Sequence, residues 1–139
     1  MKTEKPVREA VVFSDGASSG NPGPAGIGVV VIIGDKKIVL SEPIGNATNN
    51  VAEYSALIRG LETALKQRAD AVNIRLDSEL IVRQLNGVYR VKNEGLVPLY
   101  RKVCALLENF RSYNITHIPR TENSEADSLA KKAVQRVNR

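Results

Sequence analysis

The stretch VVFSDGASSGNPGPAG, residues 11–26, carries an apolar run into an aspartate and then spaces four glycines over eleven positions. Val11, Phe13 and Asp15 fall on one side of the alternation and Val12 and Ser14 on the other, which predicts a strand over about 7–15. An Asp-Gly pair enters a turn readily, because Asp tolerates turn geometry and Gly supplies positive φ, so Asp15 has a local reason to end that strand. The glycines of Gly23-Pro-Ala-Gly26-Ile-Gly28 are not those of a dinucleotide fingerprint, which follow a strand and open a helix; these feed a β-branched run, and no Walker A lysine is present. They suit a tight turn in which the absence of a Cβ lets the backbone be approached closely.

Working outward, GIGVVVIIG and KKIVLSEPIG flank a tight Gly34-Asp35-Lys36 turn and predict a hairpin over 26–44, so the first three strands form an antiparallel meander. In NNVAEYSALIRGLETALKQ the period changes to that of a helix, with Val51, Tyr54, Leu57, Ile58, Leu61, Ala64 and Leu65 as its apolar stripe. AVNIRL is a fourth strand ending at Asp77, and SELIVRQLNG is a helix stopped at Gly87. A further helix is predicted over about 98–110, then the strand YNITHI, then a last helix from NSEAD with Ala126, Leu129, Ala130, Ala133 and Val137 inward. The order is βββαβααβα. A parallel crossover added to an antiparallel meander implies an α/β fold, a mixed sheet with helices packed against it.

At 139 residues this is one ordinary domain, 1–139, with no repeat or linker. It is 42% hydrophobic, 25% charged and 4% aromatic, a globular composition. The opening MKTEKPVRE is polar, and no run approaches the length of a membrane span, so a soluble cytoplasmic protein without a membrane partner is expected. Cys104 is alone and sits among Leu99, Val103, Leu106, Leu107 and Phe110 at helical spacing, which reads as a small buried hydrophobe in a reducing compartment. The net charge of +5 permits an acidic partner such as nucleic acid without demanding one.

Four carboxylates stand out, and each has a local explanation. Asn50-Val-Ala-Glu53 has the form of a capping box, Asp77 could cap the helix beginning at Ser78, and Asp127 complements the dipole at the start of the last helix. The topology brings them together. Parallel pairing of the first and fourth strands would place Asp15 and Asp77 at one end of the sheet centre, with Glu53 in the first turn of the crossover helix between them. Converging acids raise one another's pKa unless cations neutralise them. Oxygen ligands without His or Cys suit Mg2+ or Mn2+ and argue against zinc.

DGASSGNPGPAG with Asp15, TNNVAEY with Glu53, DSELIVRQL with Asp77 and NSEAD with Asp127 resemble, in order and over nearly the whole chain, the four-carboxylate signature of type 1 ribonuclease H. The resemblance implies a ribonuclease H-like fold, a five-stranded mixed sheet in the order 3-2-1-4-5. It implies endonucleolytic hydrolysis of the RNA strand of an RNA/DNA hybrid, leaving 3′-hydroxyl and 5′-phosphate ends, with two Mg2+ ions per active site and Mn2+ as a substitute. Asp15 would bridge both ions, Glu53 and Asp77 would hold the first and Asp127 the second. Gly16, Asn21, Thr48, Asn49, Asn50, Ser78 and Glu79 would contact the hybrid, in a protein expected to act as a monomer.

The sequence also departs from many members of that family. Ile118-Pro-Arg-Thr-Glu-Asn123 is too short to hold the loop histidine found before the last aspartate, leaving Arg120 or Glu122 as auxiliary groups for product release and the single His117 as a structural residue of the fifth strand. The segment between Asp77 and Pro98 lacks the extra basic helix, keeping Arg83, Arg90 and Lys92, and Glu79 stands where some relatives have glutamine. An integrase-like or resolvase-like nuclease would share clustered acids but not TNNVAEY together with GNPG, and a non-catalytic binding module would have lost a carboxylate. Double-stranded RNA is a second candidate partner beside the hybrid.

Overall fold

The structure, a computed structural model, describes residues 6–137, the side chain of Val137 excepted. The reading of residues 1–5 as a polar start and of Val137 as an inward residue therefore falls outside the described residues. The elements are β1 (Glu9–Ser18), β2 (Gly23–Ile33), β3 (Lys36–Ala47), α1 (Asn49–Lys66), β4 (Ala71–Leu76), α2 (Glu79–Leu85), α3 (Val97–Leu107), β5 (Ser112–His117), a 3-10 turn (Arg120–Asn123) and α4 (Ser124–Val137). The sheet runs β3-β2-β1-β4-β5, as expected, with β1–β2 and β2–β3 antiparallel and β1–β4 and β4–β5 parallel.

Two helices sandwich the centre of the sheet. On one face α1 sets Gly60 against Val12 and Val29, and buries Tyr54, Leu57, Ile58, Leu61 and Ala64, with Val51 and Leu65 half-buried at the edges of the stripe. Full burial of each of the larger apolar side chains is worth about 1.5–3 kcal/mol. On the other face α4 lies so close to β2 that a Cβ on Gly28 would overlap the main chain of Ala126 and Ala130. Small residues on both sides, Gly28 on the strand and Ala126, Ala130 and Ala133 on the helix, permit that approach. Arg59 on α1 is bonded twice to Glu42 on β3, at 2.9 and 3.1 Å, tying the crossover helix to the meander.

Several boundaries differ from the sequence reading, each for a local reason. β1 runs past Asp15 to Ser18 because its pairing with β2 continues to Ser18 opposite Ala25. The cap of α1 is Thr48, whose Oγ1 accepts from Val51 N at 3.2 Å, so Asn50 and Glu53 form no capping box. Likewise Ser78, not Asp77, caps α2. α3 ends at Leu107 rather than Phe110, since the Asn109 amide donates to the carbonyls of Ala105 and Leu106 and closes the last turn. Cys104 is half-buried beside Tyr100 rather than fully enclosed. Among the described residues no helix is long and apolar enough to cross a membrane.

Candidate active site

The parallel register of β1 and β4 ends with Phe13 opposite Arg75. Asp15 and Asp77 each stand two residues beyond that pair, where the strands part, so both carboxylates emerge at the same level at the middle of the sheet. Glu53 reaches the same point from the first turns of α1, which lies against β1 so tightly that a Cβ on Gly16 would overlap the main chain of Ala52 and Glu53. One carboxylate oxygen each from Asp15, Glu53 and Asp77 lie within 4.8 Å of one another. The three acids sit at the base of a cleft of 380 Å³ lined also by Gly16, Ala17, Ser18, Asn49, Asn50, Ser78, Arg120, Asp127 and Lys131.

Burial and proximity hold protons on this cluster. Desolvation pushes the Asp15 carboxyl up to about 6, with the Asp77 charge adding to the rise and a hydrogen bond from Glu53 opposing it. Glu53 goes further, to about 10, first because it is desolvated and then because its carboxyl is bonded to Asp15. Asp127 behaves oppositely. Partial burial pushes it up, but the hydrogen bonds to Lys131 and Asp15 and the charges of Lys131 and Arg120 carry the net shift below the ordinary carboxylate range. Its Oδ2 lies 3.0 Å from Lys131 Nζ, one helical turn on, and it stands beside the three-acid group rather than within it.

The remaining expected contacts divide into two sets. Gly16, Asn49, Asn50, Ser78 and Arg120 line the cleft. Asn21 and Thr48 support its rim: Asn21 Oδ1 accepts from Asn49 N at 2.9 Å, Asn49 Oδ1 accepts from Ser18 N at 2.9 Å, and Thr48 is occupied in capping α1. Glu79 on α2 is not among the residues lining the cleft and is paired with Arg83 at 2.8 Å, and Glu122 borders a different, apolar hollow beside Phe13 and Ile32. His117 ends β5 with its Nε2 3.3 Å from the main-chain oxygen of Asp77. Two residues have roles at the site that sequence reasoning did not assign. Lys131 faces Asp127 across one helical turn, a spacing visible in the sequence, and Asn123 bonds to Asp77, which only the fold reveals.

The donor set fits hard divalent cations. Three clustered carboxylates without a nitrogen or sulfur ligand, two of them holding protons against their ordinary tendency, form a site whose charge a cation would relieve. The family model described as reverse transcriptase-like matches residues 13–133. A bifunctional protein of Mycobacterium tuberculosis is 46% identical over 129 residues, 91% of this chain but 35% of that protein. Its N-terminal RNase H domain, solved as a fusion with maltose binding protein, superposes with a TM-score of 0.87 at 43% identity, covering 91% of this chain and 98% of that one. LC11-RNase H1, solved in complex with an RNA/DNA hybrid, is 39% identical with a TM-score of 0.83, over 94% of this chain and 99% of that one. The chain thus spans about a third of its mycobacterial relatives, yet it is 35% identical to the ribonuclease H of Desulforamulus reducens over 95% of its own length and 91% of that enzyme's. With the sheet order, the acidic cleft and these likenesses in agreement, the chain belongs to the ribonuclease H family.

Proposed function

We propose that this chain, acting as a single domain and a monomer, hydrolyses the RNA strand of RNA/DNA hybrids, leaving 3′-hydroxyl and 5′-phosphate ends. Two divalent ions, Mg2+ or Mn2+, would be held by Asp15, Glu53, Asp77 and Asp127. The observation that carries this reading is the convergence of Asp15, Glu53 and Asp77 within 4.8 Å at the base of an open cleft. The hybrid-bound LC11-RNase H1 supports the choice of substrate. Divalent ions at such a site lower the pKa of a water and offset charge on the phosphoryl oxygens.

The chain's own groups supply the rest. Asp15 contacts Glu53 on one side and Asp127 on the other, the position a shared ligand needs. Glu53 and Asp15 would have to give up their protons to hold a cation, so ion binding and proton loss would be linked. Arg120 puts positive charge on the cleft wall, where it attracts phosphate that the carboxylates alone would repel. Asn49, Asn50 and Ser78 bring side-chain donors and acceptors to the opposite wall, within which a 2′-hydroxyl can be told from a hydrogen.

The test is incubation of end-labelled RNA/DNA hybrid, DNA duplex and double-stranded RNA with the protein in Mg2+, in Mn2+ and in excess chelator. Cleavage of the hybrid's RNA strand with either metal and its loss in chelator are expected. Cleavage that survives chelation, or an intact hybrid with both metals, overturns the proposal.

A further inference from the structure

Beneath the cleft lies a buried amide. The 3-10 turn that follows β5 delivers Asn123 into the gap where β1 and β4 separate, and there the residue is 2% exposed. Its Nδ2 donates to the main-chain oxygen of Ser14 at 3.0 Å and to Oδ2 of Asp77 at 2.9 Å. Both partners are pure acceptors, so the nitrogen of the amide has to face them and the oxygen has to face away. That oxygen is buried with no partner among the described residues. An amide that leaves its own acceptor unsatisfied in order to direct both N–H groups at a strand end and a carboxylate is fixed by those two bonds.

The geometry points to Asn123 as a positioning residue for the metal-holding carboxylates: one amide fixes the spacing of the strand ends that carry Asp15 and Asp77, and reserves one Asp77 oxygen so that the other is presented to a cation. This rests on the proposed function of the cleft and adds to it a residue that touches neither cation nor substrate. Ser14 precedes Asp15 directly, so the bond to its carbonyl sets the height of Asp15, while the second bond sets the rotation of Asp77. Groups of this kind that orient metal ligands from behind change affinity by about 10–100-fold when removed. A residue serving packing alone would change stability and leave ion affinity where it was.

Calorimetric titration with Mn2+ separates the two. Asn123→Leu keeps the branched outline of the side chain and loses both donors; Asn123→Ser keeps a single donor and serves where the larger leucine prevents cooperative melting. The expected result is Mn2+ binding weakened by about 10–100-fold, with the KM for hybrid at saturating metal within about twofold of the parent, since the binding walls of the cleft are untouched. In the unmodified protein, the Asn123 side-chain amide protons should exchange slowly and shift on saturation with Mg2+, as the carboxylate they contact changes its charge environment. A folded variant that binds Mn2+ within twofold of the parent, or amide resonances that stay still during the Mg2+ titration, overturns the assignment. If Asp77→Asn also binds Mn2+ like the parent, the reading of the cleft itself has failed, and not only the role of Asn123.

Discussion

The cleft has two walls that treat their carboxylates in opposite ways. On the sheet side, Asp15 and Glu53 meet where β1 packs against α1, Asp15 buried and Glu53 half-buried, and both hold protons above the ordinary carboxylate range. On the α4 side, Asp127 sits in the first turn of a helix with Lys131 one turn on, and its carboxyl is shifted downward. Burial governs the first wall and ion pairing the second. The sheet wall is unstable as a charged object without cations, whereas the helix wall already carries its counter-charge. A cation therefore relieves strain on one side and competes with an ammonium group on the other.

The largest consequence belongs to the sheet wall. Asp15→Asn keeps the shape of the side chain and removes the charge shared by every ion proposed here. Loss of several kcal/mol of transition-state stabilisation corresponds to a fall in kcat of about 10³-fold or more, measured on labelled hybrid at saturating Mg2+. The same variant should melt at a higher temperature than the parent in chelator, because an acid held against its tendency has been removed. An active variant, or one that melts lower in chelator, would erase the contrast between the walls. Gly16→Ala tests the same wall through its backbone. Its Cβ would overlap Ala52 and Glu53, so α1 has to retreat and take Glu53 with it. A displacement of about 1 Å in a catalytic ligand costs on the order of 10²-fold in rate, and the overpacking lowers stability by about 1–3 kcal/mol. Parent-like kinetics would mean that the fit of β1 to α1 is not what places Glu53.

The sheet wall was far more legible in the sequence than the machinery behind it. Strand periodicity around Val11–Asp15, the helical stripe of α1 and the crossover between them suffice to bring Asp15, Glu53 and Asp77 to one edge, and the resemblance carried by TNNVAEY and NSEAD pointed to the same residues. What stayed hidden depends on contacts between distant segments. Asn123 meets Ser14 and Asp77 across 109 and 46 residues of chain, and nothing in NSEAD distinguishes such an amide from a helix cap. Capping was misjudged by one or two residues at both α1 and α2, because Thr48, Asn49 and Asn50, like Asp77 and Ser78, are adjacent residues of equal capping chemistry. Main-chain direction decides among them, and side-chain type does not.

Proton uptake offers a test of intermediate size. Asp15 and Glu53 have folded pKa values above their unfolded ones, so the folded protein binds more protons and their contribution is fully present below about pH 4. In chelator, stability should fall as pH rises through about 6 for Asp15 and onward toward about 10 for Glu53. The slope is roughly 1.4 kcal/mol per pH unit for each proton held only by the folded state. Saturating Mg2+ replaces those protons, so the rise in melting temperature on adding Mg2+ should grow between pH 5 and about pH 8. A metal-induced rise that is constant across that range would show that the cluster is already ionised and that the two walls do not differ.

The smallest effect is expected on the helix wall, and its sign carries the information. Lys131→Gln removes an ion pair whose lysine side chain is 61% exposed, and such pairs at a spacing of one helical turn contribute only about 0.3–0.5 kcal/mol. Stability should therefore barely move. Asp127 loses the partner that holds it down, so its pKa should rise toward the ordinary value. Ion binding gains nonetheless, since a cation approaching Asp127 no longer has to displace an ammonium group, and at neutral pH the carboxylate stays charged. Half-maximal cleavage should then require about two- to fivefold less Mg2+, the factor that corresponds to roughly 0.4–1 kcal/mol. The same substitution in a protein carrying Asp127→Asn should have no such effect, because the competition has been removed at its other end. An increased Mg2+ requirement in Lys131→Gln alone would instead identify the lysine as a phosphate contact, placed by the hybrid rather than by Asp127, and the helix wall would then be working with the metals and not against them.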